Sequence, residues 1–306
     1  MKVFDLHCDT VSTCMAANRE LYENEGQLDV KRGISFDRWV QTFAFWLDDI
    51  YRGEEAWAQF EAQYAFWLRQ TAKHPEAYEF YQGGEATRKH CCNMLLSVEG
   101  GAVLGGRLDR VQTLSDKGIS FLTLTWNGAN ELASGALSEG GLTVFGEEVL
   151  AELERCDIIA DVSHLNEQSF YDVAARARRP LIATHSNSKA VCNHPRNLSD
   201  EQIRYLIDHH GLIGLNFYPP FVNGQDDCSL DDLCRHAEHI LSLGGEHVLA
   251  LGSDFDGASM PSAIREIKGL EKLYESMLKY FHEEQTDRIF YDNAARFADE
   301  WFGLNP

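Results

Sequence analysis

Two short apolar segments, Cys156-Asp-Ile-Ile-Ala-Asp-Val-Ser-His164 and Pro180-Leu-Ile-Ala-Thr-His185, each end in a histidine. A helix-like run over residues 167–178 separates them, so the two histidines lie 21 residues apart, about one strand–helix repeat. Strands joined by a crossover helix run parallel, so both imidazoles emerge at the same edge of one sheet. In a closed (β/α) barrel that edge carries the chemistry. Two histidines in register favour a metal site or a catalytic pair over two structural histidines.

Similar apolar segments recur along the chain and predict six further strands, at residues 3–6, 41–46, 93–98, 119–125, 212–215 and 248–251. Helix-like runs lie between most of them, and no linker rich in Pro, Gly or Ser divides the chain. Eight strands that alternate with helices predict an α/β protein with one domain, a (β/α)₈ TIM barrel over residues 1–306.

The connecting segments carry their own signals. Residues 54–73 have aromatic and aliphatic residues at helical spacing, and a second helix is predicted over residues 75–81. Thr143 is predicted to cap a helix that ends at Arg155, and Ser199 with Gln202 forms a capping box. Residues 11–35 are polar and irregular, which predicts a loop over the catalytic face.

Composition limits the possible partners. The chain has 27 basic and 48 acidic residues, a formal charge of −21, and no basic cluster, which argues against nucleic acid and anionic membranes as partners. Its eight cysteines lack metal-finger spacing and follow no secretion signal, so we expect reduced thiols in a cytoplasmic protein. No apolar run approaches the ~20 residues of a membrane span.

Polar residues follow the other predicted strands too. His7 and Asp9 follow the first strand and point the same way, because side chains alternate along an extended chain. That pair alone could be metal ligands or a hydrogen-bonded pair. Glu99, followed by two glycines, ends the third strand, and Asp254 follows the eighth.

These residues, with His164 and His185, predict a metal centre. Three histidines and a carboxylate pair suit zinc or a similar metal better than calcium or magnesium. Five ligands suffice for two ions, with His7 and Asp9 on one, His164 and His185 on the other, and Glu99 between them. Two such cations would lower the pKa of a shared water and yield hydroxide near neutral pH.

The chain resembles the membrane (renal) dipeptidase family of the amidohydrolase superfamily. The resemblance rests on six motifs that run in the same order from the first strand to the eighth: His7-x-Asp9, Glu99-Gly-Gly, Asp161-Val-Ser-His164, Thr184-His185-Ser, His194-Pro-Arg-Asn197 and Asp254-Phe-Asp-Gly257. It implies a binuclear zinc barrel that hydrolyses dipeptides, often with tolerance for a D-residue at the C-terminal position. It also makes a homodimer plausible.

The resemblance also implies roles for single residues. By that likeness Glu99 bridges the two ions, Asp254 handles the proton of the bridging hydroxide, and Arg196 binds the substrate carboxylate. The chain has Trp126 where mammalian members have a histidine that contacts the substrate carbonyl. An indole cannot be protonated, so we expect a metal ion, helped by Asn127, to take over that contact. Trp126 should form an apolar wall that favours small or hydrophobic side chains.

The other histidines and Asp256 have simpler interpretations. His194 in the rim loop could brace that loop or contact substrate, and Asp256 is expected to brace the loop of the eighth strand. His236 and His239 lie on one helix face with no third ligand near, which predicts a solvated helix.

Two rival functions are compatible with the same residues. One is a binuclear amidohydrolase of the same architecture that acts on another small amide or on a lactam. The other is a non-catalytic metal-binding barrel. The presence of Asp254 argues against the second, since holding ions requires no proton acceptor.

Overall fold

Eight parallel strands close into a barrel in the computed structural model, which describes residues 1–304. A ninth, short strand, Tyr78–Phe80, lies outside the ring and pairs with Cys92–Met94. The strands are β1 Lys2–Cys8, β2 Arg38–Trp46, β3 Tyr78–Phe80, β4 Cys92–Glu99, β5 Ile119–Thr123, β6 Ile159–Asp161, β7 Ile182–Ala183, β8 Leu212–Leu215 and β9 Leu249–Leu251. The ring runs β1-β2-β4-β5-β6-β7-β8-β9, and the pairing of β9 with β1 closes it. The predicted (β/α)₈ barrel is confirmed.

Helices surround the ring and follow most of its strands. They are α1 Thr10–Ala17, α2 Val30–Gly33, α3 Gly53–Thr71, α4 Asp109–Asp116, α5 Val144–Arg155, α6 Glu167–Ala174, α7 Asp200–Asp208, α8 Pro219–Val222, α9 Leu230–Ser242, α10 Leu270–Met277, α11 Glu283–Asp287 and α12 Asn293–Phe302. Thr143 caps α5 and the Ser199–Gln202 capping box begins α7, as predicted. None of the helices within residues 1–304 has the length and hydropathy needed to cross a membrane.

The barrel interior is filled by one apolar cluster to which every strand of the ring contributes. Its strand members are Phe4, Leu6, Val40, Leu95, Phe121, Ile159, Ile182, Leu212 and Ala250. Helix α12 covers this cluster with Phe297 and Trp301, among others. The interior is therefore a packed core, and a functional site has room only at the ends of the strands.

Two of the predicted connections are wrong. Residues 11–35 contain α1 and α2, because Val11 and Cys14 form a short buried helical face and Asp29 caps α2 by accepting from the Arg32 amide. Residues 75–81 contain only a 3₁₀ turn, Pro75–Ala77, before β3. Strand β3 pairs with Cys92–Met94, the part of β4 that precedes its pairing with β5, so long-range pairing decides this segment.

Two glycines allow the ends of β8 and β9 to approach the carbonyl group of Thr184, which follows β7. A Cβ atom built on Gly214 of β8 would lie 1.8 Å from the Thr184 carbonyl oxygen, and one built on Gly252 after β9 would lie at the same distance. That distance is far inside van der Waals contact. Side chains at these positions would therefore push apart the strand ends that carry His185 and Asp254.

We predict that Gly214→Ala lowers the free energy of unfolding by about 3 kcal/mol or more, because the new methyl group meets backbone that cannot move aside. Gly106→Ala is the control: Gly106 has φ +73° and no neighbour within 4 Å of the added Cβ, so it should cost only about 1–2 kcal/mol of left-handed strain. Urea denaturation measures both. Equal losses for the two variants would contradict this packing argument.

Candidate active site

All six residues predicted to form the centre meet at the carboxyl ends of the barrel strands. His7 belongs to the end of β1 and Glu99 ends β4, whereas Asp9, His164, His185 and Asp254 follow β1, β6, β7 and β9 within three residues. The side chains of His7, Glu99 and His185 are almost completely buried.

The Glu99 carboxylate lies at the middle of the group and turns one oxygen to each side. Its Oε2 atom is 3.4 Å from His7 Nε2. Its Oε1 atom is 2.7 Å from His164 Nε2 and 3.6 Å from His185 Nε2. The two oxygens therefore face different sets of ligand atoms.

Two sets of donor atoms converge on this carboxylate. On one side, His7 Nε2 is 3.3 Å from Asp9 Oδ2, and Asp9 Oδ1 is buried without a hydrogen-bond partner. On the other side, His164 Nε2 and His185 Nε2 are only 2.8 Å apart. The ligand atoms of His7, Glu99 and His185 all lie within 4.8 Å of one another, as do those of His7, Asp9 and Asp254. Buried imidazole nitrogens and carboxylate oxygens at these distances fit divalent metal ions.

The protonation of two of the three imidazoles, His164 and His185, suits this use. Burial, and then the neighbouring positive charge of Arg196, holds the pKa of His164 well below its usual value. Burial has the same effect on the pKa of His185. Both rings are therefore neutral and offer a lone pair, which is the form that binds a metal. Burial, and then the Asp9 charge, raises the pKa of Glu99 to about 7, so the carboxylate needs positive charge beside it.

Polar side chains behind the ligands fix their tautomers. Asn127 Oδ1 is 3.1 Å from His164 Nδ1 and accepts a hydrogen bond from its N–H. Thr184 Oγ1 donates to Asp161 Oδ2 at 2.6 Å, so it accepts from His185 Nδ1 at 2.8 Å. Each bond leaves the Nε2 lone pair facing the centre, as partners behind metal-binding histidines commonly do. The predicted residue Asn127 thus orients a ligand and also lines the adjoining cavity.

Asp254 is held in a strained backbone conformation with φ +64°. Asn216 Nδ2 donates to its Oδ2 atom at 3.1 Å, and burial raises its pKa to about 6. A Cβ atom on Gly257 would lie 2.4 Å from Asp254 Oδ1 and 2.1 Å from Asp9 Oδ2, so a side chain there would displace both carboxylates. Sequence reasoning missed Asn216, although a polar residue directly after strand β8 is the signal that revealed the other site residues.

A cavity of about 630 Å³ opens onto Glu99, His164 and Asp254. Two aromatic pairs line it, Trp46 with Trp126 and Tyr218 with Phe221. The Trp46 and Trp126 rings meet edge to face with centroids 5.2 Å apart, and those of Tyr218 and Phe221 are 4.8 Å apart. The sequence pointed to Trp126 but not to the other three residues.

Arg196 is buried beside the centre, where its Nη2 atom donates to the His185 carbonyl at 3.4 Å. Its Nε atom has no hydrogen-bond partner in the described part of the chain, residues 1–304. Burial lowers the pKa of Arg196 to about 10, so the guanidinium remains charged. Arg196 lines a smaller cavity of about 170 Å³, and His164 lines both cavities.

His194 supports the loop that carries Arg196. Its Nδ1 atom accepts the Arg196 backbone N–H at 3.2 Å, and its ring packs on Phe221 at 4.5 Å. The residues that line the two cavities do not include it. Asp256 braces its loop by accepting from Thr10 Oγ1 at 2.7 Å and from the Gln27 amide at 2.8 Å.

The interpretation of His236 as part of a solvated helix face is wrong. His236 is completely buried, whereas His239, three residues on, is partly exposed and contacts Asp200 Oδ1 at 2.8 Å. The helix packs its His236 face against the loops that follow β7 and β8, which the sequence of the helix alone does not indicate.

Comparison with known proteins supports the same chemistry. The chain matches the membrane dipeptidase family, peptidase family M19, over residues 1–301. An uncharacterized protein of Klebsiella pneumoniae, named for the pqqA 5' region, is 32% identical over 216 residues, which cover 66% of this chain and 80% of that protein.

Two solved structures share the complete fold. A Rhodobacter sphaeroides metallo peptidase, solved with a phosphinate mimic of the dipeptide L-Ala-D-Ala, superposes with a TM-score of 0.90 at 25% identity and covers 98% of this chain and 99% of its own. The dipeptidase AC, a metallo peptidase of family M19, has a TM-score of 0.91 at 26% identity and covers 99% of both chains.

The family match extends over nearly the whole chain, and the buried ligand set at the strand ends suits a metal-dependent hydrolase. This chain is therefore a metallodipeptidase and belongs to the membrane dipeptidase family, peptidase family M19.

Proposed function

We propose that this protein hydrolyses dipeptides with two divalent metal ions, zinc by the chemistry of the ligands. Glu99 would contribute to both metal sites. His7 and Asp9 would complete the first site, and His164 and His185 the second. The observation that carries this proposal is the placement of Glu99 Oε2 at 3.4 Å from His7 Nε2 and of Oε1 at 2.7 Å from His164 Nε2.

The chain's own residues supply the remaining functions. When bound, the ions would lower the pKa of water and polarise the scissile carbonyl group. Asp254 would accept the proton of the attacking water and pass it to the leaving amine, and its pKa of about 6 places it in the range of an effective general base. Asn216 would hold the Oδ2 atom of Asp254 so that Oδ1 is free for this transfer.

The substrate end would be bound by Arg196. A substrate that lies in the main cavity and extends past His164 would bring its free carboxylate to the buried guanidinium, whose Nε atom has no hydrogen-bond partner among residues 1–304. Arginine forms paired hydrogen bonds to carboxylates. This contact would favour dipeptides over other small amides and lactams, which lack the carboxylate.

The apolar walls would select the side chains. Trp46, Trp126 and Phe221 give the cavity an apolar aromatic lining, so small or hydrophobic substrate side chains should fit best. A D-residue at the C-terminal position is an attractive candidate, given the L-Ala-D-Ala mimic bound to the Rhodobacter sphaeroides relative. Assays with matched L,L- and L,D-dipeptides, together with metal analysis of the same sample, test the proposal. Absence of hydrolysis by a metal-loaded sample would contradict it.

Glu99→Gln is expected to weaken both metal sites at once, because one neutral amide replaces a carboxylate that serves both ions. Mass spectrometry after dialysis should find two zinc ions per wild-type chain and fewer than one in the variant. Glu148→Gln, at an exposed position of α5, should keep both ions. A Glu99→Gln protein that retains both ions would remove Glu99 from the bridging role.

Asp254→Asn should lower kcat by about 10²–10⁴ while both ions remain, because an amide cannot accept the proton. Steady-state kinetics and metal analysis measure the two effects separately. The Asp254 carboxylate also lies within reach of a cation held by His7 and Asp9. Loss of an ion from the variant would thus identify Asp254 as a ligand and contradict its assignment as a proton acceptor.

Arg196→Ala should cost about 1.5–3 kcal/mol of transition-state stabilisation for free dipeptides, the usual contribution of a hydrogen bond to a charged group. The ratio of the wild-type and variant kcat/KM values measures this loss. The loss should be small for the same dipeptides with an amidated C-terminus. Arg204→Ala, which removes a half-exposed arginine from α7, should leave kcat/KM unchanged for both free and amidated dipeptides. Equal losses on the free and amidated substrates would rule out carboxylate binding by Arg196.

A further inference from the structure

His236 on α9 is a buried imidazole outside the metal centre. It lies between the segment that follows β7, residues 186–198, called the Arg196 loop, and the segment that follows β8, residues 216–222, called the Phe221 loop. Its side chain has no exposed surface. Burial of a polar ring in this way is tolerated only if its nitrogens find partners.

Each ring nitrogen of His236 contacts a different loop. The Ser188 backbone N–H donates to His236 Nδ1 at 3.1 Å, and His236 Nε2–H donates to the Val222 carbonyl oxygen at 2.7 Å. The first bond requires a lone pair on Nδ1 and the second requires a proton on Nε2. The ring is therefore neutral, and one tautomer satisfies both loops.

The neutral form is favoured by the surroundings as well. Burial lowers the pKa of His236 to about 4, so the ring carries no charge in neutral solution. A proton on Nδ1 would face the Ser188 N–H group, and the bond to the Arg196 loop would be lost.

The anchored backbone leads directly to Arg196. Ser188 pairs with Leu198 in a short parallel bridge, two residues beyond Arg196. From the other side, Asn197 Nδ2 donates to the Phe221 carbonyl at 2.8 Å, and the Arg196 guanidinium lies over the Phe221 ring at 5.4 Å. His236 thus fixes the two backbone segments between which the Arg196 side chain is held.

We propose that His236 is a positioning residue that holds Arg196 and the Phe221 loop in place for the carboxylate end of the substrate. It touches neither substrate nor metal ligands and acts through the backbone of the two loops. This inference rests on the proposed role of Arg196 in carboxylate binding. It assigns part of the site's specificity to a helix on the outside of the barrel.

Isosteric substitutions can separate the two bonds of the imidazole. The side-chain oxygen of Asn in His236→Asn can occupy the place of Nδ1 and accept from Ser188. The side-chain nitrogen of Gln in His236→Gln can occupy the place of Nε2 and donate to Val222. His236→Ala removes both bonds. His239→Ala is the matched control, because His239 lies on the same helix and contacts only Asp200 among the polar groups of residues 1–304.

His236→Ala should raise KM for free dipeptides about tenfold or more, the scale of one or two lost hydrogen bonds, while kcat and the metal content change little. KM for amidated dipeptides should stay close to that of the wild type. His236→Asn should recover most of the loss, since the Ser188 bond anchors the Arg196 loop directly, and His236→Gln should recover less. His239→Ala should behave as the wild type does.

Three results would overturn the inference. The first is a wild-type KM for free dipeptides in the Ala, Asn and Gln variants alike. The second is an equal rise in KM for free and amidated dipeptides, and the third is loss of metal from the variants. The Asn and Gln variants fill the space of the ring, so the comparison remains possible if the Ala variant does not fold. If Arg196→Ala itself fails to distinguish free from amidated substrates, the proposed function fails. If Arg196→Ala distinguishes free from amidated substrates but the His236 variants do not, this inference alone is wrong.

Discussion

The carboxylate of Glu99 is buried among His7, His164 and His185, with each oxygen directed to a different side. A buried anion is costly unless positive charge or hydrogen bonds compensate for it. The neighbouring rings of His164 and His185 are held neutral by burial, so they supply little of that charge. Although burial opposes it, the charges of Glu99 and Asp9 raise the pKa of His7 well above its usual value, so this ring supplies part of that charge. Bound cations would supply the rest, and the other residues of the site keep these ligands in place.

The backbone is strained at two of the site residues that surround Glu99. His164 and Asp254 have φ values of +70° and +64°, a left-handed conformation that costs about 1–3 kcal/mol for a residue other than glycine. Buried carboxylates also hold neighbouring strand ends together. Asp5 of β1 accepts from the Ser253 amide after β9 at 2.8 Å, and Asp161 of β6 accepts from the Thr184 amide after β7 at 3.0 Å. The apolar interior of the barrel, covered by α12, provides the stability that tolerates these strains.

The sequence was sufficient to predict the barrel and to place the polar residues at its strand ends, because parallel strands bring successive carboxyl ends to one face. It could not predict features that depend on distant partners. Strand β3 exists because the first residues of β4 are free to pair with it, and His236 is buried because two loops close over α9. Asn216 was detectable in principle, yet its contact with Asp254 arises only when β8 and β9 lie side by side.

The central claim is that one carboxylate serves two metal ions. Anomalous X-ray diffraction at the zinc absorption edge, from crystals of the zinc-loaded protein, tests it most directly. The account predicts two peaks, one beside Glu99 Oε2 with His7 and Asp9 as neighbours, and one beside Glu99 Oε1 with His164 and His185 as neighbours. A single peak, or two peaks of which only one contacts Glu99, would contradict it.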